Sequence, residues 1–239
     1  MNQETYGPPP LAPGEPHLAC VLLLDTSSSM SYRDPDKPDR VPPIDSLNQA
    51  LQRFKEQVSL DEMAQKRVDI AIVEFNSNVR VVQDFTPIRN MEPITLEATG
   101  VTSMGAGINM AIDMVKGRNR YYNGIGTPVF KPWIFMITDG EPTDSIDEAA
   151  RRIQEEESKG THGKLKFFAL GVEGYSKEAM FRLTNRVMEL RDKDFSSIFD
   201  WMGKSMVAIS VSRVGDEAAL PMLPENARKA DPNRDVSTW

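Results

Sequence analysis

The stretch LLLDTSSSM (residues 22–30) joins a run of aliphatic side chains to an acid followed by four hydroxyl side chains. The apolar run begins at His17 as HLACVLLL, without polar alternation, which is typical of a parallel strand buried on both faces. A strand that ends needs a turn, and Asp, Ser and Thr form turns readily. Turn formation accounts for one or two polar residues, whereas five in succession indicate a further role for their oxygen atoms.

Length and composition restrict the class of protein. The chain has 239 residues, of which 40% are hydrophobic and 26% charged, so it fits one large α/β domain or two small ones and can bury a substantial core. The net charge of −7 argues against broad, sequence-independent nucleic-acid binding, which needs a basic surface. Because Cys20 is the one cysteine, an intrachain disulfide and a cysteine-built zinc site are both excluded.

The N-terminal sequence MNQETYGPPPLAPGEP has no apolar segment of the kind that a secretory signal carries. The apolar runs elsewhere are far shorter than the ~20 residues that a membrane helix needs. We therefore expect a soluble cytoplasmic protein that binds neither membranes nor nucleic acid.

Strand and helix patterns alternate along the chain. Strands are predicted at 17–24, 68–75, 79–85, 133–139 and 164–172, and helices at 46–58, 103–116, 145–159, 176–190 and 195–210. The expected fold class is α/β, with a doubly wound, mostly parallel sheet, one antiparallel edge strand at 79–85 and helices on both faces. The sequence predicts an extended arm at 1–16, a single domain at 17–211 and a loose tail at 212–239.

Two of the predicted strands end in an aspartate, Asp25 and Asp139, and Thr102 immediately precedes a predicted helix. Each residue has a simpler explanation, since aspartates form turns and Thr102 can cap the helix. In a doubly wound sheet, however, ligands bind beyond the carboxyl ends of the strands, where all three are expected to meet. Two carboxylates brought together repel each other unless a cation lies between them. Oxygen donors without His or Cys favour Mg²⁺ or Mn²⁺.

The sequence resembles the von Willebrand factor A domain over roughly residues 17–211. DTSSSM matches the family's DxSxS signature at Asp25, Ser27 and Ser29, while Thr102 and Asp139 (in ITDG) match its two remaining metal positions. The resemblance implies a Rossmann-like fold and a metal-ion-dependent adhesion site. It further implies that Ser27, Ser29 and, in the active conformation, Thr102 ligate the ion directly, that the two aspartates act largely through water, and that one position stays open for a partner's Asp or Glu.

Loops around this site are expected to form a partner-binding rim, drawn from the segments 31–43, 117–132 and 171–176. The rim residues predicted from these loops and from the segment after Asp139 are Arg33, Asp34, Tyr122, Glu141 and Tyr175. Within the family, TDGEPTD (138–144) is similar to the bacterial tellurium-resistance-associated proteins, which implies a stress-response role beside kinase and phosphatase components. Val101 departs from that pattern, because Gly often stands before the key threonine.

Other functions receive less support from the sequence. A phosphatase with an aspartate nucleophile of the haloacid-dehalogenase type needs a second Asp two residues after Asp25, where Ser27 stands. A serine hydrolase needs a histidine base, and His17 and His162 are the two histidines of the chain. We therefore predict a non-enzymatic, metal-dependent interaction module, with a metal-independent scaffold as the main alternative and an Mg²⁺-dependent phosphohydrolase as a weaker one.

Overall fold

The computed structural model describes residues 7–33, 35–36, 41–158, 165–192 and 194–231. The strands in these ranges are β1 Leu18–Asp25, β2 Val68–Phe75, β3 Val79–Pro87, β4 Trp133–Thr138, β5 Lys166–Gly171, β6 Val187–Leu190 and β7 Ala227–Lys229. The helices are α1 Pro43–Ser59, α2 Ala64–Arg67, α3 Met104–Gly124, α4 Asp147–Glu157, α5 Lys177–Leu183 and α6 Ser196–Ser210. Short 3-10 turns lie at Ser28–Ser31 and Ile88–Asn90.

The strands form one sheet in the order β3-β2-β1-β4-β5-β6-β7. Neighbours from β2 to β6 are parallel, while β3 and β7 are antiparallel edge strands. The order reverses between β1 and β4, where Leu24 pairs with Ile137, so that Asp25 and Thr138 follow at the same level. We call the edge at which the parallel strands end the carboxyl edge, and the opposite edge the amino edge. The predicted mostly parallel α/β sheet is confirmed.

The core consists of two apolar layers, one on each face of the sheet. Strand β1 is buried along its whole length, with Leu22 and Leu24 facing the layer under α1 and α6. Val21 and Leu23 face the layer under α3 and α4. Burial on both faces explains why this strand has no polar alternation.

Three predictions for the second half of the chain are wrong. Helix α3 continues to Gly124 instead of ending at 116. The prediction ended too early because the last two turns bury Arg118 and Tyr122, polar residues that do not extend the apolar pattern of the helix. The segment predicted as one helix at 176–190 contains α5 and then strand β6. Residues 227–229, predicted to belong to a loose tail, pair with β6 as the second antiparallel edge strand.

The described part of the predicted arm, 7–16, packs along the amino edge of the sheet. Arg118 Nη1 donates to the carbonyl of Pro8 at 2.7 Å, and Thr127 Oγ1 donates to that of Pro13 at 2.5 Å. None of the helices in the described ranges has the length and apolar character required to cross a bilayer.

Candidate functional site

Asp25, the last residue of β1, carries a fully buried carboxylate. Its Oδ1 accepts a hydrogen bond from the Ser27 backbone N–H at 2.8 Å, and its Oδ2 accepts one from Thr138 Oγ1 at 2.5 Å. Burial raises the pKa of Asp25 from its ordinary 3.8 to about 6, against the opposing effect of these hydrogen bonds, and the nearby Asp139 adds to the rise. Two neighbours therefore fix the carboxylate in place, while its negative charge is costly.

The four hydroxyl side chains after Asp25 have two roles, which alternate along the sequence. Ser27 Oγ and Ser29 Oγ lie 3.0 Å apart, and Ser29 Oγ donates to Asp139 Oδ1 at 2.6 Å. Ser28 instead directs both its N–H and its hydroxyl at the Gly100 carbonyl, at 3.0 and 2.9 Å. Thr26 Oγ1 accepts a hydrogen bond from Asn76 Nδ2. The alternate residues Ser27 and Ser29 thus belong to the site, while Thr26 and Ser28 attach the turn to neighbouring loops.

Thr102 lies on a loop that backbone hydrogen bonds hold against this turn. The N–H of Thr99 donates to the carbonyl of Thr26 at 2.8 Å. Thr102 is 5% exposed, and a β-carbon placed on Gly140 would lie 3.1 Å from Thr102 Oγ1 and 3.7 Å from Asp25 Oδ2. The Thr102 hydroxyl and the Asp25 carboxylate therefore flank the same glycine, where a side chain would be a tight fit against Thr102.

Val101, the departure from the family pattern, does not obstruct this loop. Its side chain is 51% exposed and its N–H donates to Ser77 Oγ at 3.1 Å. The preceding Gly100 has φ +74°, a conformation that suits glycine. The bend therefore turns Val101 outward and leaves Thr102 directed inward.

The end of β4 and the segment that follows it supply Asp139, which is 6% exposed, together with two supporting residues that were not predicted from the sequence. Thr138 holds Asp25 as described above. Asp144 accepts hydrogen bonds from the N–H groups of Gly105 and Ala106, both at 2.9 Å, at the start of α3. A carboxylate is favourable at a helix N-terminus. The TDGEPTD motif contained both residues, but their partners are distant in the sequence.

The structure therefore brings the five predicted ligands to one place at the carboxyl edge. Two carboxylates and three neutral hydroxyls form a donor set that suits a hard divalent cation such as Mg²⁺ or Mn²⁺, so these residues could hold one. Within the described ranges, there is no group of three or more His, Cys, Asp or Glu side chains able to hold a metal. The predicted set is of a different kind, since hydroxyls supply three of its five donors.

Three of the predicted rim residues also lie at the carboxyl edge. Arg33 is exposed and lies 3.7 Å from Asp45 in a surface ion pair, and Glu141 is exposed directly after Gly140. Tyr175 is half-buried and donates from its hydroxyl to Glu189 Oε1 at 2.5 Å. Asp34 lies outside the described residues. A role for these residues in partner binding stays a prediction.

The prediction that Tyr122 and the segment 117–132 contribute to the rim is wrong. Helix α3 begins beside Thr102 and runs back along the sheet, so that residues near its end lie at the amino edge. Tyr122 is fully buried there, and its hydroxyl donates to Asp69 Oδ2. His17 Nδ1 and Arg118 Nη2 contact the same oxygen at 3.0 and 3.4 Å.

Comparisons with known proteins agree with this architecture. The family model for the von Willebrand factor type A domain matches residues 20–200. Similar solved structures include a von Willebrand factor type A protein from Catenulispora acidiphila (16% identity, 81% of this chain and 43% of that chain, TM-score 0.58). Others are the PilB minor pilin from Streptococcus sanguinis (14%, 81% and 62%, TM-score 0.58) and the ArnB paralog VWA2 from Sulfolobus acidocaldarius (16%, 80% and 45%, TM-score 0.51).

At these identities the likeness establishes the fold alone. This chain spans less than two thirds of the length of each of those three proteins. The comparison with curated proteins gives no match.

Proposed function

The chain belongs to the von Willebrand factor type A family, a family of protein-interaction modules that are often metal-dependent, and on that premise we propose that it captures a partner protein through a bound Mg²⁺ or Mn²⁺ ion. The ion would be held at a metal-ion-dependent adhesion site by Asp25, Ser27, Ser29, Thr102 and Asp139. The partner would present an Asp or Glu side chain. The observation that carries this proposal is the 2.6 Å hydrogen bond from Ser29 Oγ to Asp139 Oδ1, which joins two of the segments that supply these oxygens.

The hydrogen bonding of the site is compatible with cation binding. A hydroxyl that donates its proton keeps its lone pairs, so Ser29 can donate to Asp139 and still offer its oxygen to an ion. Thr138 and the Ser27 N–H donate hydrogen bonds to the Asp25 carboxylate and so hold it in a fixed orientation, while its oxygens keep further lone pairs for an ion. When bound, a divalent cation ligated mainly by neutral hydroxyls would keep much of its charge and would attract a partner carboxylate. The exposed Arg33 and Glu141 are candidates for selecting that partner.

We propose no catalytic activity for this site. His17 is buried at the amino edge and bonded to Asp69, so it cannot serve as a base for Ser27 or Ser29. His162 lies outside the described residues. An Mg²⁺-dependent phosphohydrolase remains testable, because such an enzyme would hydrolyse p-nitrophenyl phosphate when Mg²⁺ is added.

The TDGEPTD stretch supports a narrower proposal, namely a cytoplasmic role in a stress-response system of the tellurium-resistance type. Kinase or phosphatase components of that system would then be candidate partners. Deletion of the gene in its host should lower survival on tellurite, and complementation should require Ser29. Equal survival of the deletion strain would contradict this narrower role without affecting the metal-dependent one.

Calorimetric titration with Mg²⁺ and Mn²⁺ tests the main proposal, with Ser29→Ala as the variant and Ser28→Ala as its matched control. Ser29→Ala should weaken metal binding by about tenfold or more, since it removes a ligand. Ser28→Ala should change metal affinity little, because its hydroxyl faces Gly100 instead. Capture of partners from host lysate by the wild type should be lost in EDTA and in Ser29→Ala. A wild type that gives no heat with either metal would instead support the metal-independent scaffold.

A further inference from the structure

A cavity lies at the amino edge of the sheet, across the molecule from the candidate metal centre. Its volume is about 500 Å³, within the range typical of small-molecule sites. Apolar side chains at its wall include Phe130, Trp133 and Ile209. Lys166, the first residue of β5, lies on the same wall. We propose that this cavity binds a small organic anion, whose apolar body packs against the aromatic wall and whose charged group pairs with Lys166.

The proposal depends mainly on the environment of Lys166, which is buried and, among the described residues, has no paired anion. The residue is 7% exposed, and its ammonium has no hydrogen bond or salt bridge within the part of the chain that the structure describes. Withdrawing most of a lysine side chain from water without a paired anion is costly, so most buried lysines have a partner. Burial lowers the pKa of Lys166 from its ordinary 10.5 to about 8, and Arg186 and Lys131 lower it further. An anion placed beside this ammonium would offset the cost of its burial and the repulsion from Arg186 and Lys131.

The other charges of the cavity wall also favour an anion. Arg120 and Lys131 line the cavity, and in the described ranges neither forms a salt bridge. Lys116 is paired with Glu156 at 2.9 Å. The wall also carries two acids, Asp216 and Glu217, and Glu217 raises the pKa of Lys166. Without the paired Lys116, three cations face two acids, so the wall carries a small excess of positive charge although the whole chain has a net charge of −7.

A polar group without a partner lies on the same wall. Asn119 Oδ1 is buried and, within the described ranges, accepts no hydrogen bond. A buried polar atom of this kind usually has a partner in protein or solvent. A hydroxyl or amide of the ligand could satisfy Asn119, while the aromatic wall would favour an apolar body. The ligand class is therefore a carboxylate, sulfonate or phosphate monoester with an aromatic or aliphatic body, of a size that fills a cavity of this volume.

The probe for this site is 1-anilinonaphthalene-8-sulfonate, compared with N-phenyl-1-naphthylamine, which has the same rings without the sulfonate. Wild-type protein should bind the sulfonate saturably at one site, with partial quenching of tryptophan fluorescence, since Trp133 is one of the three tryptophans and lines the cavity. Lys166→Met should weaken sulfonate binding by about tenfold or more, the range expected for loss of a buried charge pair, and should leave binding of the neutral analogue unchanged. Lys204→Met, which removes an exposed lysine of α6, should behave as the wild type.

Several results would overturn the proposal: no saturable binding by the wild type, equal sulfonate affinity in Lys166→Met, or an equal loss in Lys204→Met. Lys166→Arg, which keeps the charge, should lose less sulfonate affinity than Lys166→Met. A thermal unfolding curve for each variant shows that it is folded. Sulfonate binding should also be the same in EDTA, so the outcome here is independent of the metal-dependent function proposed above.

Discussion

Ser29 Oγ lies 2.6 Å from Asp139 Oδ1 and donates a hydrogen bond to it, although 110 positions of sequence separate the two residues. The contact exists because β1 and β4 are neighbours and end at the same level, so that the turn after one strand meets the turn after the other. Ser27 continues the same network at 3.0 Å from Ser29. The reversal of strand order at this point therefore determines where the oxygen atoms converge.

We expect Asp25→Asn to abolish Mg²⁺ binding and, without metal, to raise the free energy of unfolding at pH 7. The folded pKa of about 6 lies above the ordinary 3.8, so the folded protein binds a proton between roughly pH 4 and 6 that the unfolded chain has released. Wild-type stability should consequently fall as the pH rises through that window. The asparagine variant, which cannot titrate, should gain on the order of 2 kcal/mol relative to the wild type by pH 7.

Urea denaturation in EDTA at pH 4.5 and pH 7 measures this difference. Asp216→Asn, which changes an exposed acid, is the control and should follow the wild-type pH dependence. Excess Mg²⁺ should then stabilise the wild type and leave Asp25→Asn unaffected, since a ligand stabilises only the state that binds it. An Asp25→Asn variant that is less stable than the wild type at pH 7, or that binds Mg²⁺ equally well, would contradict the assignment.

We expect Asp144→Ala to lower the free energy of unfolding by about 1–2 kcal/mol, the usual effect of losing a helix cap. Its carboxylate accepts the N–H groups of Gly105 and Ala106, and so ties the loop after Asp139 to the start of α3 beside Thr102. Mg²⁺ affinity should fall by about threefold to tenfold, because Thr102 becomes less well positioned. Urea denaturation and calorimetry measure the two effects.

Asp113→Ala is the control for Asp144→Ala, since Asp113 forms an ion pair with Arg152 on the exposed side of α3. A surface pair of this kind is worth about 1 kcal/mol or less, and Asp113 is remote from the donor set. Unchanged stability and unchanged metal affinity in Asp144→Ala would show that the α3 cap is not needed to position Thr102.

Local patterns in the sequence were sufficient to predict which side chains lie together at the carboxyl edge, but not the residues that hold them in place; their role as metal ligands stays a prediction. Asp25, Ser27 and Ser29 lie within five positions at the end of β1, and Asp139 directly follows β4, the neighbouring strand in the sheet. Their meeting place follows from the α/β topology. Thr138 and Asp144 act on residues far away in sequence, Thr138 on Asp25 and Asp144 on the N-terminus of α3, and a hydroxyl or acid near a strand end does not reveal such a partner.

The errors in the predicted fold have a common cause in tertiary contacts. By residue type, Arg118 and Tyr122 are expected at the surface, yet both are buried because they pair with Asp69, which lies inside β2 at the amino edge. Strand β6 has four residues, too few for a clear alternation, and its register is set by pairing with β5 and β7. Periodicity within a window of sequence contains no information about such partners.

We expect Tyr122→Phe to lower the free energy of unfolding by about 1–3 kcal/mol, since it removes a donor from the buried carboxylate of Asp69. Mg²⁺ affinity should stay within about twofold of the wild type, because the cluster lies at the amino edge and the donor set at the carboxyl edge. Tyr121→Phe is a matched control, for the Tyr121 hydroxyl makes no hydrogen bond within the described ranges. A joint loss of metal affinity and stability would mean that the two edges are coupled.

We expect Lys166→Met to raise the free energy of unfolding at pH 7, by on the order of 1–3 kcal/mol, and to flatten its dependence on pH. The folded pKa of about 8 is below the ordinary 10.5, so between these values the unfolded chain holds a proton that the folded protein has released. The free energy of unfolding of the wild type should therefore rise as the pH increases from 8 to 10.5. Below pH 8, where Lys166 is charged in the folded protein, its destabilising effect should be greatest.

The charged groups around Lys166 determine the size of this effect. Arg186 and Lys131 increase the cost of its charge, while Glu217 and Glu157 reduce it. Urea denaturation at pH 7 and pH 10 compares the wild type with Lys166→Met, and Lys204→Met serves as the exposed control. The wild type should be less stable than Lys166→Met at pH 7, and most of this difference should vanish at pH 10. A difference that is the same at both pH values would show that Lys166 carries no unpaired charge in the folded protein, and the anion site would lose its main support.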